Sequence, residues 1–160
     1  MKSEQLTTEV NNREARRPVT LVRGDATGGR LAVVELHEVQ GQGPPRHLHA
    51  NEDEIIYVLE GTLTVCVGED ILQATTGTCL FFPRDTEHGY AVESAAARLL
   101  VVLTPAGLEG FFGELDAEPS SEGVERLIAV AARYGIAITG PAPTVEGSAS
   151  GATASHEEGA

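Results

Sequence analysis

A succession of short extended segments between residues 19 and 103 constrains the fold more than any other feature of this sequence. These segments are rich in apolar and β-branched residues and cover residues 19–23, 30–39, 47–49, 54–59, 62–67, 71–74, 78–82, 88–92 and 98–103. Turn-forming residues separate them, among them Gly61, Gly68, Gly77 and Pro83. Many short strands at this spacing are typical of an antiparallel sandwich or barrel. We therefore predict an all-β domain.

The hydrophobic period changes after Pro105 and becomes helical. Two helices are predicted from the apolar positions that recur at helical spacing, which are Leu108, Phe111, Phe112 and Leu115 in the first and Val124, Leu127, Ile128 and Ala131 in the second. Ser120 or Ser121 is a suitable N-cap for the second helix, and Gly135 is a suitable stop. An extended segment, IAITG, follows the second helix.

The two ends of the chain differ in composition from its middle. Residues 1–17 are polar and aperiodic and are predicted to form a leader arm, whereas residues 141–160 are small and polar and are predicted to be disordered. A chain of 160 residues without an internal repeat has room for one domain. We expect that domain to span residues 18–140, with the helical segment at about residues 105–135.

Charge and hydropathy exclude several classes of partner. The formal net charge of −13 and the pI near 4.7 argue against binding to nucleic acid or to an anionic membrane surface. No apolar run is long enough to span a bilayer, and the first residues lack a secretory signal, so a cytoplasmic location is predicted. Cys66 and Cys79 lie in apolar segments and are expected to be reduced core thiols.

Four residues form a candidate metal site: His47, His49, Glu54 and His88. His47 and His49 share one face of a strand because side chains alternate with period two. Glu54 is at an odd offset from His49, so a bend in the polar residues 50–53 is needed to turn it toward the histidines. His88 opens a separate strand after a turn. Three imidazoles and one carboxylate suit Fe, Mn, Ni, Co, Cu or Zn, and we expect one divalent ion per chain.

Each of these residues also has an ordinary structural explanation. A strand histidine is commonly a surface or hydrogen-bonded residue, and residues 52–54 could form a solvated acidic turn. His37 stands on a strand without an evident partner and His156 lies in the tail, so neither is assigned to the site. The spacing of the four candidate ligands within a longer pattern favours the metal site.

That longer pattern resembles the two motifs of the cupin family. In the first stretch, Gly41 precedes His47 by five intervening residues, and His49, Glu54 and Gly61 follow at the spacing of the first cupin motif. In the second stretch, Gly77, Pro83 and His88 resemble the second motif. The resemblance implies a double-stranded jelly-roll barrel in which His47, His49, Glu54 and His88 bind a divalent metal.

Two positions depart from the family pattern. The second motif usually has glycine two residues after the proline, where this chain has Asp85, and it usually ends in asparagine, where this chain has Val92. Aspartate tolerates turn conformations, so the first change is expected to be mild. Neither change removes a ligand.

The sequence of the first motif, HLHANEDEIIYVLEGTLTV, resembles that of bacterial cupins related to quercetin dioxygenases. The later segments TPAGLEGFF and RYGIAITGP resemble the same group. That group contains oxygenases and polyketide cyclases. Three functions follow from the resemblance: a metal-dependent dioxygenase acting on an enolisable or aromatic small molecule, a non-oxidative cyclase, isomerase or decarboxylase, and a non-catalytic ligand-binding protein. The resemblance to quercetin dioxygenases also implies that Glu54 acts both as a metal ligand and as a proton acceptor.

Strand alternation also predicts the walls of a substrate pocket. Ile56 has the parity of Glu54, Tyr90 has that of His88, and Phe81 and Cys79 are expected to face inward. No inward Lys or Arg is evident, so the substrate is expected to be apolar or aromatic. The opposite face of residues 54–59 carries Ile55, Tyr57 and Leu59, which predicts an apolar patch and a homodimer. The family resemblance implies pairing through sheet faces as well.

Overall fold

The structure is a computed structural model that describes residues 18–117 and 123–144. The predicted leader arm, the predicted N-cap serines and residues 145–160 lie outside the described residues. Ten strands are found in the described ranges: β1 Val19–Val22, β2 Ala32–Val39, β3 Arg46–His49, β4 Asp53–Glu60, β5 Thr62–Val67, β6 Asp70–Thr75, β7 Cys79–Phe82, β8 His88–Val92, β9 Ala96–Thr104 and β10 Ile136–Gly140. Each predicted strand is present.

The strands form two five-stranded antiparallel sheets. The first sheet has the order β1-β2-β9-β4-β7, and the second has the order β10-β3-β8-β5-β6. Consecutive strands repeatedly change sheet, so β3 lies in the second sheet while β4 lies in the first. The inner faces of both sheets contribute to one hydrophobic core, which includes Val34, Val58, Leu63, Val92 and Leu99. This arrangement confirms the predicted jelly-roll barrel.

Alternation along the strands explains why these segments form the barrel. In β9 every second residue is buried, and Leu99, Val101 and Leu103 are fully shielded from solvent. The intervening residues face outward, as expected for a strand with one core-facing side. Burial of these branched side chains supplies the main driving force for closing the two sheets on each other.

Two helices cover one end of the barrel, and together they are called the helical cap. Helix α1 spans Glu109–Ala117 and α2 spans Gly123–Arg133, in agreement with the predicted helical segment. The buried side of α2 agrees with the prediction only in part: Ala131 is buried as predicted, whereas Val124 and Ile128 are 69% and 49% exposed, and Val130, which was not predicted, is buried. An edge contact between the rings of Phe111 and Tyr134 joins α1 to the residue that follows α2.

Backbone conformation at two motif positions explains their residue types. Gly61 has a φ of 102°, and a Cβ added there would lie 2.6 Å from the Ala96 carbonyl oxygen. Asp85 adopts a φ of 61°, the left-handed conformation that glycine adopts most easily. Aspartate is one of the few other residues that tolerate this conformation. Asp85, which replaces the glycine usual in the family, can therefore adopt the backbone conformation that the turn before β8 requires.

The predicted environments of several residues can be compared with the structure. Cys66 is buried, as expected for a core thiol, but Cys79 is exposed, and both are free. Residues 141–144, which belong to the predicted tail, are described, and Pro143 is buried. The Pro141 carbonyl accepts a hydrogen bond from the Arg46 N–H at 3.4 Å. No helix among the described residues is long and apolar enough to cross a membrane.

Candidate metal centre and cavity

Both sheets contribute to the cluster of His47, His49, Glu54 and His88. His47 and His49 lie on β3, and His88 lies beside them on β8, where it pairs directly with His47. Glu54 comes from β4 in the facing sheet. The ligand atoms of all four buried residues lie within 4.8 Å of one another. The four residues selected from spacing are thus brought together between the sheets.

The bend after His49 explains how Glu54 reaches the cluster. Residues 50–52 are in neither strand, and the chain crosses there from the second sheet to the first. Parity within a single strand therefore does not apply across this bend. Glu54 then faces the histidines from the opposite side of the barrel interior.

Backbone carbonyls fix the orientation of two of the imidazole rings. The Nδ1 of His47 lies 2.8 Å from the Pro45 carbonyl oxygen, and the Nδ1 of His88 lies 2.8 Å from that of Thr86. With Nδ1–H donating to these carbonyls, Nε2 of each ring is directed into the cluster. A hydrogen bond of this kind is a common feature of histidines that ligate a metal.

Unsatisfied polar atoms in the cluster fit a bound cation. Neither ring nitrogen of His49 has a hydrogen-bond partner among the described residues, although both are buried. The Nε2 of His88 lies 2.9 Å from Glu54 Oε2. Because Nδ1 of His88 also faces an acceptor, a neutral ring cannot donate to both oxygens, whereas a cation between Nε2 and Oε2 would satisfy both atoms.

The distances in the cluster are those of neighbouring ligands around one ion. Two ligand atoms, each about 2.1 Å from a transition metal and at right angles, lie about 3.0 Å apart. The His88–Glu54 distance of 2.9 Å matches this spacing. The Nε2 of His49 lies farther away, 3.9 Å from Glu54 Oε2, which is still less than the separation of about 4.2 Å that two ligands of one such ion can have. The residues present therefore fit a divalent metal ion.

Burial sets the protonation states that metal binding requires. Burial lowers the pKa of His49 to about 4, against the opposing effect of Glu54, and it also lowers the pKa of His47. Both rings are therefore neutral at pH 7, the form that ligates a metal. Burial raises the pKa of Glu54, but the His88 hydrogen bond and the neighbouring histidines lower it more, so its pKa is below the ordinary value. Glu54 is thus a carboxylate.

Contacts behind the ligands hold the turns that carry them. The Asp85 N–H donates to the His49 carbonyl at 2.8 Å, which joins the turn before β8 to the end of β3. Arg84 donates to both carboxylate oxygens of Asp53, at 3.1 and 3.0 Å, next to Glu54. The Phe82 ring stacks on His88, with centroids 4.3 Å apart and planes 5° from parallel.

A cavity of about 460 Å³ opens from the ligand cluster toward the helical cap. The four cluster residues lie in its wall, and apolar side chains form most of the remainder. From the cap, the residue before it and β10 these are Leu108, Phe111, Phe112, Leu115, Leu127, Ala131, Ile136 and Ile138. The described residues that line the cavity include no Lys or Arg. A cavity of this size accommodates a small organic molecule next to the cluster.

Two of the three predicted pocket residues lie in this wall. Ile56 and Tyr90 both line the cavity, and both are almost fully buried. The inward orientation predicted for Phe81 is wrong, because its side chain is 60% exposed and absent from the wall. Residues paired across an antiparallel ladder share a face, and Glu54 pairs with Phe82. Phe82 therefore faces the interior, and Phe81 and Cys79 face outward.

The structure adds two residues to the cavity that the sequence did not select. Glu38, on β2, lines the cavity and is hydrogen-bonded to Tyr90. His37 also contributes to the wall, and its Nε2 lies 3.0 Å from Glu35 Oε1. A charged residue in a strand normally predicts a solvent-facing position. The one available signal was that Glu38 has the same parity as Val34 and Leu36 in β2.

Comparison with known proteins agrees with this geometry. Residues 34–103 match the model of the cupin domain. Over 89 residues the chain is 32% identical to quercetin 2,3-dioxygenase of Bacillus subtilis, a match that covers 56% of this chain and 26% of that protein. Over 95 residues it is 28% identical to the tetracenomycin polyketide synthase protein TcmJ of Streptomyces glaucescens, covering 59% and 62% of the two chains.

The chain thus spans about a quarter of one of these relatives and less than two thirds of the other. Among solved structures, the chain resembles an RmlC-like cupin from Shewanella frigidimarina, with a TM-score of 0.52 and 23% identity. That match covers 64% of this chain and 88% of the other. The two-sheet barrel, the matched domain and the clustered ligand residues agree, and residues 34–103 form a cupin domain.

Proposed function

We propose that this protein is a metal-dependent dioxygenase that acts on an aromatic or enolisable small molecule. The observation that carries the proposal is the placement of three imidazoles and one carboxylate at the inner end of an apolar cavity. The similarity to quercetin 2,3-dioxygenase supports it. The cavity wall favours a neutral, largely apolar substrate, because its described residues offer no cation to a phosphate or dicarboxylate.

The cluster residues have separate roles in this proposal. His47, His49, Glu54 and His88 would hold one divalent transition metal, which supplies Lewis-acid and redox chemistry when bound. Four protein ligands leave room for substrate on a five- or six-coordinate ion. Glu54, ionised and buried beside His88, accepts the proton from an acidic substrate hydroxyl. Ile56 and the apolar side of the helical cap enclose the substrate ring and exclude water.

A non-oxidative reaction is the second candidate, and a specific observation favours it. The chain is similar to TcmJ, a tetracenomycin polyketide synthase protein, over 62% of that protein's length, a larger share than for the dioxygenase. A cyclase, isomerase or decarboxylase would use Glu54 as the same proton acceptor, with the same histidines as ligands. Only the requirement for dioxygen separates the two reactions.

Turnover with and without dioxygen tests the proposal. Metal-loaded protein is incubated with flavonols and with phenolic, enolisable polyketide analogues, in air and under argon, and products are followed by mass spectrometry. A dioxygenase incorporates both atoms of dioxygen into its products taken together in air, and it stops under argon. Turnover that continues under argon supports the second candidate. Binding without turnover of any substrate in either atmosphere contradicts both and leaves a ligand-binding protein.

We also propose that two copies of the chain pair through the outer face of the first sheet. Tyr57 and Phe81 are 41% and 60% exposed there, and Phe81 pairs with Ile55 across the β4–β7 ladder. Adjacent exposed aromatic rings are typical of an interface. Light scattering at micromolar concentration is expected to give a dimer for the wild type and a monomer for Phe81→Glu. A monomeric wild type contradicts this proposal.

A further inference from the structure

A second polar contact joins the two sheets inside the cavity, apart from the ligand cluster. Glu38 extends from β2 in the first sheet, and Tyr90 extends from β8 in the second. The Tyr90 hydroxyl donates a hydrogen bond to the Glu38 carboxyl group. Both side chains line the same cavity as the cluster. A molecule bound in the cavity can therefore contact this pair of side chains.

Glu38 has no cation to neutralise it among the described residues. Its neighbour on the opposite face of β2, Glu35, is paired with Arg98, whose Nη2 lies 2.7 Å from Glu35 Oε1. By contrast, Glu38 Oε2 is buried and lacks a hydrogen-bond partner in the described parts of the chain. A buried acceptor without a partner costs free energy. One oxygen of Glu38 is thus free to accept a hydrogen bond inside the cavity.

The surroundings of the pair hold it in place and favour a ligand donor. Burial raises the pKa of Glu38, although the hydrogen bond from Tyr90 lowers it in part. A carboxyl group whose charge is destabilised by burial gains strongly from a further donor. Gly43 fixes the backbone next to the pair, because a Cβ at this position would collide with the Tyr90 carbonyl group. The backbone that carries Tyr90 therefore packs directly against the chain at Gly43.

We propose that Glu38, held by Tyr90, orients the substrate by accepting a hydrogen bond from a hydroxyl group remote from the one at the metal site. This inference rests on the proposed function, since it assumes that the cavity binds an aromatic substrate next to the cluster. The substrate class is an aromatic compound with two separated hydroxyl groups. One oxygen meets the cluster and Glu54, the ring lies against Ile56 and the helical cap, and the second hydroxyl donates to Glu38.

A matched pair of ligands tests this assignment without turnover. The probes are a naphthol and the naphthalenediol that carries a second hydroxyl at the opposite end of the ring system. Binding to zinc-loaded protein is measured by titration calorimetry for the wild type, Glu38→Leu, Glu38→Gln and Glu60→Gln. Glu60 is an exposed carboxylate at the end of β4 and serves as the control.

The wild type and the Glu60→Gln control are expected to bind the diol about tenfold to a hundredfold more tightly than the naphthol, the effect of one hydrogen bond to a charged group. Glu38→Leu is expected to bind both probes equally, with naphthol affinity and zinc content unchanged. Glu38→Gln keeps an acceptor oxygen without the charge and retains part of the preference. If Glu38→Leu does not fold, as judged by circular dichroism and zinc content, Glu38→Gln still gives the test.

Four results would overturn the assignment, and they differ in what else they contradict. Equal binding of both probes to the wild type, or an unchanged preference in the folded Glu38 variants, removes the role of Glu38 but leaves the proposed function intact. Equal loss of affinity for both probes in these variants shows a structural role only. Failure of the zinc-loaded wild type to bind either probe contradicts the proposed aromatic site and the role of Glu38 together.

Discussion

The two ends of the cavity are built in different ways. At the inner end, the ligands lie on strands β3, β4 and β8, whose positions are fixed by backbone hydrogen bonds and by the contacts of Asp85 and Arg84. At the outer end, side chains packed on α1 and α2 of the helical cap line the cavity. The matched cupin domain, residues 34–103, includes the inner end and excludes the cap.

This difference separates chemistry from selectivity. Strand pairing fixes ligand atoms in space, so a motif spacing is enough to specify the inner end. A packed helical wall can change shape through side-chain substitution while the barrel keeps its ligands. We therefore expect variants at the inner end to change metal content and rate, and variants in the cap to change substrate affinity.

Loss of a ligand histidine is expected to have the largest effect. His49→Ala and His88→Ala each remove one of the four ligands and leave the remaining buried donors without a complete site. Purified variants are expected to contain almost no metal by elemental analysis, against close to one ion per chain in the wild type. His37→Ala and His156→Ala are the controls. Equal metal loss in these controls would remove the basis of the assignment.

Glu54→Gln is expected to have the next largest effect. The amide keeps the shape of the side chain and a ligand oxygen, but it does not accept a proton as a carboxylate does. Activity is expected to fall by about a hundredfold to ten-thousandfold, the usual contribution of a general base, while metal content falls less. Glu54→Ala is expected to lose both. Full activity in Glu54→Gln would restrict Glu54 to the role of a ligand.

A substitution in the cap is expected to leave the inner end unchanged. Leu127 lines the cavity from α2, while the next residue, Ile128, is 49% exposed and outside the wall. Leu127→Ala removes apolar contact with the substrate and is expected to raise KM roughly tenfold, the effect of losing between one and two methylenes of this half-buried side chain at about 0.8 kcal/mol each. Ile128→Ala is the matched control, with little change expected. Metal loss in Leu127→Ala would show that the two ends are not independent.

The sequence predicted the inner end well because its ligands stand in two short motifs that resemble those of the cupin family, one of which contains His88 on a separate strand. Every strand was anticipated, and the HxH spacing placed His47 and His49 on one face. The replacement of the usual glycine by Asp85 was expected to be mild, and its positive φ is one that aspartate tolerates. Glu54 required a bend between two sheets, and the polar residues after His49 indicated that bend.

The features that the sequence did not predict depend on contacts between distant segments. Phe81 and Phe82 are equally apolar neighbours, and only the β4–β7 register decides which one faces His88. The buried side of α2 depends on how the helix lies over the barrel, which exposes Val124 and buries Val130. Glu38 was missed because a carboxylate in a strand normally faces solvent. Here it faces the cavity instead, where it interacts with Tyr90.

The smallest predicted effect concerns the ion pair behind the ligands. Arg84 holds Asp53 next to Glu54, and Asp85 in the same turn bonds to the His49 carbonyl. Arg84→Ala loosens this support without removing a ligand. Metal affinity is expected to fall about tenfold, the lower end of the effect of groups behind metal ligands. Competition with a chromogenic chelator measures it. Arg23→Ala, in an exposed pair with Asp25 far along the chain from the ligands, is the control.

The pH dependence of this ion pair follows from the pKa of Asp53. The hydrogen bonds from Arg84 lower that pKa from 3.8 to about 2. Between these values the unfolded chain binds a proton that the folded chain does not, so stability from the pair is complete above about pH 4 and is lost as the pH falls toward 2. The Tm difference between wild type and Arg84→Ala, measured with a chelator present, is therefore expected to be constant from pH 5 to 8 and to shrink below about pH 4. A difference that grows in acid would contradict the assigned role of Asp53, because it would require a group whose protonation strengthens the contact with Arg84.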